Sequence, residues 1–337
     1  MLHGNRARTR AWIVLVVGLA ACNRPAPVFS HDALGAAVPW THERFDTASD
    51  KFTFAIFTDL NGGERPGVFD VAAADLALLR PDLVMSVGDL ISGPVAEDSA
   101  LNAEWDAFDA RTRVIPGPVF RVGGNHDLTG QVLRDVWSAR YGPTYYYFVY
   151  KNVLFLILDT EDLTPARMQE MFEARTEAVN RARTGNRDTT GLAYYTMPER
   201  ITGNIGPDQS QYMRRVIADH PDVRWTFVFM HKPVWLNDDD PDFQAIEAAL
   251  ADRPYTVFNG HFHSMRYTER HGRDYIILGT TGGGQNPADS MSFDHVTMVT
   301  MTDDGPSIAH LRLDGILGKD GHIPAHGDTM CFQASAC

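Results

Sequence analysis

The sequence predicts an α/β domain. Short apolar runs of strand length recur from Lys51 onward, stretches with helical spacing lie between them, and several of the runs end in Asp, Asn or His. The runs 52–57, 83–87, 119–122, 225–230 and 255–258 read as buried strands, because they are short, continuous and rich in Phe, Val and Ile. At 337 residues with 44% hydrophobic content, the chain is ample for one large domain.

The first helix is predicted over 69–79, where Val71, Leu76 and Leu79 recur at helical spacing and Pro81 stops the pattern. Residues 145–150 and 153–159 read as two strands joined at Lys151-Asn152. Asn tolerates positive φ, so the pair is a hairpin. Residues 161–205 interrupt the alternation. Thr164 can cap a helix with Pro165 at its first position, and Met168, Met171, Phe172 and Val179 then share one face. Arg167, Arg175, Arg181, Arg183 and Arg187 decorate this insertion. It reads either as a solvated helix packed on the rim or as a lid bringing an Arg to a substrate phosphate. A further helix follows at 207–218. Residues 275–278 run into Thr280-Thr281-Gly282-Gly283-Gly284, which reads as an active-site rim turn, since no Lys-Ser/Thr follows it.

The two ends read differently from the domain. Arg6, Arg8 and Arg10 precede an apolar stretch, 11–21, too short to span a bilayer, so residues 1–21 read as a signal peptide. The stretch closes on Leu19-Ala20-Ala21-Cys22, which resembles a bacterial lipobox. That implies lipidation of Cys22 and anchoring to a membrane of the cell envelope; the alternative is a plain signal peptide with an incidental Cys. Residues 22–50, with Pro25, Pro27 and Pro39 and little periodicity, read as a tether. Cys331 and Cys337 lie in a C-terminal tail, 321–337, either bridged in an oxidising compartment or as two free thiols. The net charge of −13 argues against a nucleic-acid backbone as partner, but not against a small phosphate ester held by metal ions.

Five motifs follow the apolar runs in order: Asp59-Leu60-Asn61, Gly88-Asp89, Gly124-Asn125-His126-Asp127, His231, and Gly260-His261-Phe262-His263. Gly88-Asp89 alone is an ordinary turn. The ordered set, each member at the end of its own run, is not. Carboxylates, amides and imidazoles delivered from strand ends into one crevice are what two divalent cations require.

With these motifs, over about residues 51–315, the chain resembles the calcineurin-like metallophosphoesterases; the stretch Arg140-Tyr141-Gly142-Pro143-Thr144-Tyr145-Tyr146 is also typical of them. The resemblance implies a four-layer α-β-β-α sandwich, two mixed sheets with helices outside, over residues 51–320. It implies one metal held by Asp59, Asn61, Asp89 and His263 and a second by Asp89, Asn125, His231 and His261, with Asp89 bridging. A hydroxide between the metals would attack phosphorus. His126 would protonate the leaving alkoxide, with Asp127 holding its imidazole. The family pattern most often has His where this chain has Asn61. A neutral amide oxygen favours manganese or iron, with zinc or magnesium as alternatives.

Departures elsewhere narrow the class. Ser92 stands where purple acid phosphatases have Tyr, and Leu90-Ile91-Ser92-Gly93-Pro94 lacks the Arg of the Ser/Thr protein phosphatases. The expected activity is hydrolysis of small phosphate mono- or diesters outside the cytoplasm. The alternatives are a non-catalytic metal-binding envelope lipoprotein and a protein phosphatase.

Overall fold

Among residues 1, 28–32, 34–45, 50–93, 97–186 and 188–337, which the computed structural model describes, twelve strands form two mixed sheets. One has seven strands in the spatial order β1 (Phe29–His31), β5 (Tyr146–Tyr150), β6 (Val153–Ile157), β7 (Trp225–Phe229), β8 (Tyr255–Asn259), β10 (Arg273–Ile277) and β9 (Arg266–Arg270). The other has five: β12 (Gly305–Arg312), β11 (His295–Thr302), β2 (Phe52–Phe57), β3 (Leu83–Ser86) and β4 (Val119–Phe120). Strands β2, β3 and β4 run parallel, as do β6, β7, β8 and β10. The remaining pairs are antiparallel.

The period-2 alternation of side chains builds the layers. On β2, Phe52, Phe54 and Ile56 pack between the sheets with Phe155, Phe227 and Phe229, and the Phe54 and Phe227 rings meet edge-on at 4.9 Å. Ala55 and Phe57 point the opposite way, toward the core shared with α1 (Val68–Leu79), α2 (Asp98–Thr112) and α4 (Gln131–Tyr141). The second sheet repeats this. Phe227 and Phe229 of β7 face inward, while Val228 and Met230 face α7 (Pro207–Asp219) and α8 (Pro241–Leu250). The result is the four-layer sandwich. Emptying the fully buried Phe54 position to Ala would cost about 3–5 kcal/mol.

The predicted strands and helices are present, with ends moved by one or two residues. At the hairpin, Lys151 and Asn152 both take positive φ, 46° and 60°, as a tight two-residue turn requires. The tether reading needs correction over its described part. Strand β1 pairs with β5, Trp40 is buried, and the Arg121 N–H donates to the Pro39 carbonyl at 2.8 Å, so these residues are docked on the sheet edge. Residues 2–27, on which the signal-peptide and lipobox readings with Cys22 fall, and Arg187 lie outside the described residues. At the other end Cys331 and Cys337 form a disulfide, and Phe332 is buried. The Asp294 N–H donates to the Phe332 carbonyl at 2.8 Å.

Candidate metal centre

The strand ends converge as the motifs predict. Asp59 and Asn61 follow β2, and Asp89 follows β3. Asn125 and His126 open α3 (Asn125–Leu128) beyond β4, His231 follows β7, and His261 and His263 follow β8. Ligands gather beyond the carboxyl ends of parallel strands, where chain direction opens a crevice.

Tight backbone contacts weld the loops together. The Asp59 N–H donates to the Gly88 carbonyl at 3.1 Å, and the Leu60 and Asn61 N–H groups donate to the Asp89 carbonyl at 3.1 and 3.2 Å. Asp59, Asp89, His261 and His263 all take positive φ, between 50° and 75°. Non-glycine residues avoid that region, so four candidate ligands held there mark strain kept for a purpose. Gly88, at φ 91°, is needed for space as well, since a Cβ there would lie 2.5 Å from His231 Nδ1.

Two ligand groups share one carboxylate. Asp89, His231 and His261 form one, and Asp59, Asp89 and His263 the other; within each, one ligand atom per residue lies within 4.8 Å of the rest. His231 Nε2 is 3.2 Å from an Asp89 oxygen, and His263 Nε2 is 3.3 Å from an Asp59 oxygen. Asn125 Oδ1 and His231 Nε2 are buried without a hydrogen-bond partner. Buried polar atoms without a partner are costly, and cation coordination fits an imidazole nitrogen beside the Asp89 carboxylate and an amide oxygen of Asn125, which lines the same cleft as Asp89. The donor set therefore fits two divalent cations. Asn61 is buried beside it, with Oδ1 accepting from Ser92 Oγ at 3.2 Å.

Each of four histidines is clamped by a backbone carbonyl. His231 Nδ1 meets the Val87 carbonyl at 2.8 Å and His261 Nε2 the Arg200 carbonyl at 2.8 Å. His263 Nδ1 meets the Gly284 carbonyl, and His126 Nδ1 the Ser92 carbonyl, at 2.5 Å each. A carbonyl only accepts, so that ring nitrogen holds the proton and the other faces the site. Sequence reasoning missed all four clamps. Every residue carries a carbonyl, so no residue type signals one. The rim turn at 280–284 is present and supplies the Gly284 clamp.

One predicted role is corrected. Asp127 does not hold the His126 imidazole. Its Oδ1 accepts from the Leu90 and Ile91 N–H groups at 2.9 and 3.1 Å, and its Oδ2 from the Gly124 N–H at 2.8 Å. It ties the Asp89 loop to the Asn125 turn, and the Ser92 carbonyl orients His126 instead. Adjacent residues in the first turn of a helix point in different directions, so neighbours in sequence are not partners in space.

Burial shapes the electrostatics. It pushes the Asp127 carboxyl up to about 7, with help from the Asp89 charge and against the N–H donors. Burial also lowers His126, to about 4, with the Arg175 guanidinium adding to it and Asp89 opposing. Burial alone would raise Asp89, but the nearby imidazoles, His231 foremost, hold it well below the usual carboxylate range. In turn Asp89 lifts His231 to about 9 against its burial.

The insertion belongs to this site. Helix α5 (Pro165–Arg183) starts as expected, with Thr164 Oγ1 accepting from the Arg167 N–H at 3.3 Å. The short α6 (Glu199–Thr202) supplies the Arg200 carbonyl to His261, and the Glu199 carbonyl to Lys232 Nζ at 2.9 Å. Lys232 is fully buried and paired with Glu161 at 2.5 Å, so the residue after His231 is locked to the insertion.

Comparison with known proteins agrees with this arrangement. No curated protein matches the chain in sequence. A dimetal phosphatase from Danio rerio superposes with a TM-score of 0.52 at 16% identity, covering 77% of this chain and 98% of that one. PhoD superposes with a TM-score of 0.50 at 13% identity, covering 83% and 70% respectively. At such identities the likeness is one of fold. The model of the calcineurin-like phosphoesterase family matches residues 52–265, which contain all five strand-end motifs from Asp59 to His263. The chain belongs to the calcineurin-like phosphoesterases, hydrolases of phosphoric ester bonds.

Proposed function

We propose that the protein hydrolyses small phosphate mono- or diesters with two divalent cations, and that it works outside the cytoplasm. One observation carries the first part: two ligand groups share Asp89, with orphaned Asn125 and His231 atoms beside them. Asp59, Asn61, Asp89 and His263 would hold one cation, and Asp89, Asn125, His231 and His261 the other. Such cations supply Lewis acidity toward a phosphoryl oxygen and toward water. Asn61, a neutral oxygen donor, favours manganese or iron over zinc.

The protein's own groups do the rest. Asp59 and Asp89 bring negative charge that offsets cation repulsion. His126, with Nδ1 donating to Ser92, turns Nε2 into the site 3.9 Å from an Asp89 oxygen. In the free protein this nitrogen is an acceptor. To protonate a leaving alkoxide the ring must take up a second proton, and the charge of a bound phosphate ester favours that, as Asp89 does. Asp127 keeps the Asp89 and Asn125 loops in register.

The location rests on the basic n-region, the short apolar stretch and Leu19-Ala20-Ala21-Cys22, with lipidation at Cys22 as the anchor. The Cys331–Cys337 disulfide suits an oxidising compartment. No helix among the described residues is long and apolar enough to cross a membrane.

Activity toward paired chromogenic mono- and diesters is the test. It should vanish with chelator and return best with manganese. Full activity in chelator would sink the metal mechanism. Cys22→Ser should release the protein from membranes, and membrane association that persists unchanged would sink the anchor.

A further inference from the structure

Two clefts meet at His126. One, of about 650 Å³, contains Asp89, His261 and His263. The other, of about 580 Å³, contains none of these and is walled by the insertion: Arg175, Val179 and Ala182 of α5 with Tyr194 and Tyr195 beyond it. If His126 hands a proton to the departing alkoxide, the departing alcohol lies on the His126 side of the reacting phosphorus, and this second cleft is where it has room.

Arg175 is the unexplained group in that wall. It is 2% exposed, and both terminal nitrogens are buried without a hydrogen-bond partner. The acidic groups near the cleft are already engaged. Glu64 pairs with Arg111 at 2.8 Å, and Glu104 accepts from the Ser92 and Gly93 N–H groups at 3.0 and 3.1 Å. An unpaired buried guanidinium costs several kcal/mol, and a planar fork of donors is suited to a carboxylate or phosphate. Beside it, Val179, Ala182 and the Tyr194 ring offer apolar surface.

We propose that the second cleft receives the alcohol portion of the ester, and that Arg175 is a specificity-determining residue that binds an anionic group carried by that alcohol. The substrate class is then a phosphate ester whose alcohol has an apolar body and a carboxylate or second phosphate. The inference deepens the phosphoesterase function proposed above and rests on it for the assignment of the leaving-group side. The terminal nitrogens are shielded in this conformation, so binding has to displace a wall of the cleft. Tyr195, 43% exposed and stacked under Arg200 at 4.6 Å, is the candidate.

Two esters with similar leaving groups test this, phenyl phosphate and 3-carboxyphenyl phosphate. For the manganese-loaded full chain, the ratio of kcat/KM values, carboxylated over plain, should fall about tenfold or more in Arg175→Met, mainly through KM, and recover in part in Arg175→Lys. An unchanged ratio, including an equal loss on both esters, would overturn the proposal and leave Arg175 a structural residue. Calorimetric titration of the metal-free protein with 3-hydroxybenzoate gives a readout apart from activity. Binding that Arg175→Met abolishes is expected, and no binding to the wild type would overturn the subsite even if both esters are hydrolysed. Hydrolysis of neither ester, with 3-hydroxybenzoate binding intact, would remove the phosphoesterase function and keep Arg175 as an anion site.

Discussion

The two sheets bring different chemistry to the same crevice. The five-stranded sheet delivers oxygen donors, with Asp59, Asn61, Asp89 and Asn125 following β2, β3 and β4. The seven-stranded sheet delivers only imidazoles, with His231, His261 and His263 following β7 and β8. Neither sheet can complete either ligand group alone, because each group pairs carboxylate from one with imidazole from the other. The centre therefore exists only when the aromatic core between the sheets is packed. The carboxylates of both groups come wholly from the five-stranded side, and the imidazoles wholly from the other.

The sharpest break of that comparison is Asp89→Asn. The shared carboxylate serves both groups, so its loss should lower kcat/KM by roughly a thousandfold or more and reduce bound metal, measured by elemental analysis at saturating manganese. A loss no greater than that of Asn61→Ala would deny Asp89 its bridging place. Next comes His126→Ala, with an expected loss of about 10²–10⁴-fold on esters of poor leaving groups and less on a nitrophenyl ester, whose leaving group departs without a proton. An equal loss across leaving groups would make His126 a phosphate binder instead. Asn61 is the weak member of the oxygen-donating sheet. Asn61→Ala should cost about 10–100-fold in apparent metal affinity, offset by raised manganese, and Asn61→His should tighten binding.

The smallest expected effect lies outside the site. Asp75 of α1 is fully buried, its oxygens have no partner, and burial lifts its carboxyl to about 7. The folded state then holds this proton more tightly than the unfolded chain, so the contribution of Asp75 to stability is fully present below about pH 4 and is lost as pH rises toward about 7. Asp75→Asn should remove that contribution and stabilise the protein at pH 8 relative to the wild type by on the order of 2 kcal/mol, read from urea unfolding. A difference in stability between Asp75→Asn and the wild type that does not change with pH over that range would contradict it.

The candidate ligands were legible because each sits where an apolar run stops, and residue type at a strand end carries chemical information. Their orientation was not, because it comes from main-chain carbonyls such as those of Ser92, Arg200 and Gly284. Asp127 misleads for a related reason: its nearness to His126 is one of sequence. Some unread elements did carry signals. Helix α2 has Leu101, Trp105 and Phe108 at helical spacing, and α8 opens with Asp240 capping the Phe243 N–H at 2.9 Å. Strand β1 carried little signal. Its three residues show no period, and only pairing with β5 makes them a strand.

The central claim is that ligands from both sheets build one two-metal centre around Asp89. Anomalous diffraction at the manganese edge tests it most directly, with crystals of the wild type and of His231→Ala. The wild type should show two peaks flanking the Asp89 carboxylate, and His231→Ala should lose only the one between Asp89 and His261. A single peak in the wild type, or two peaks that do not share Asp89, would contradict the account.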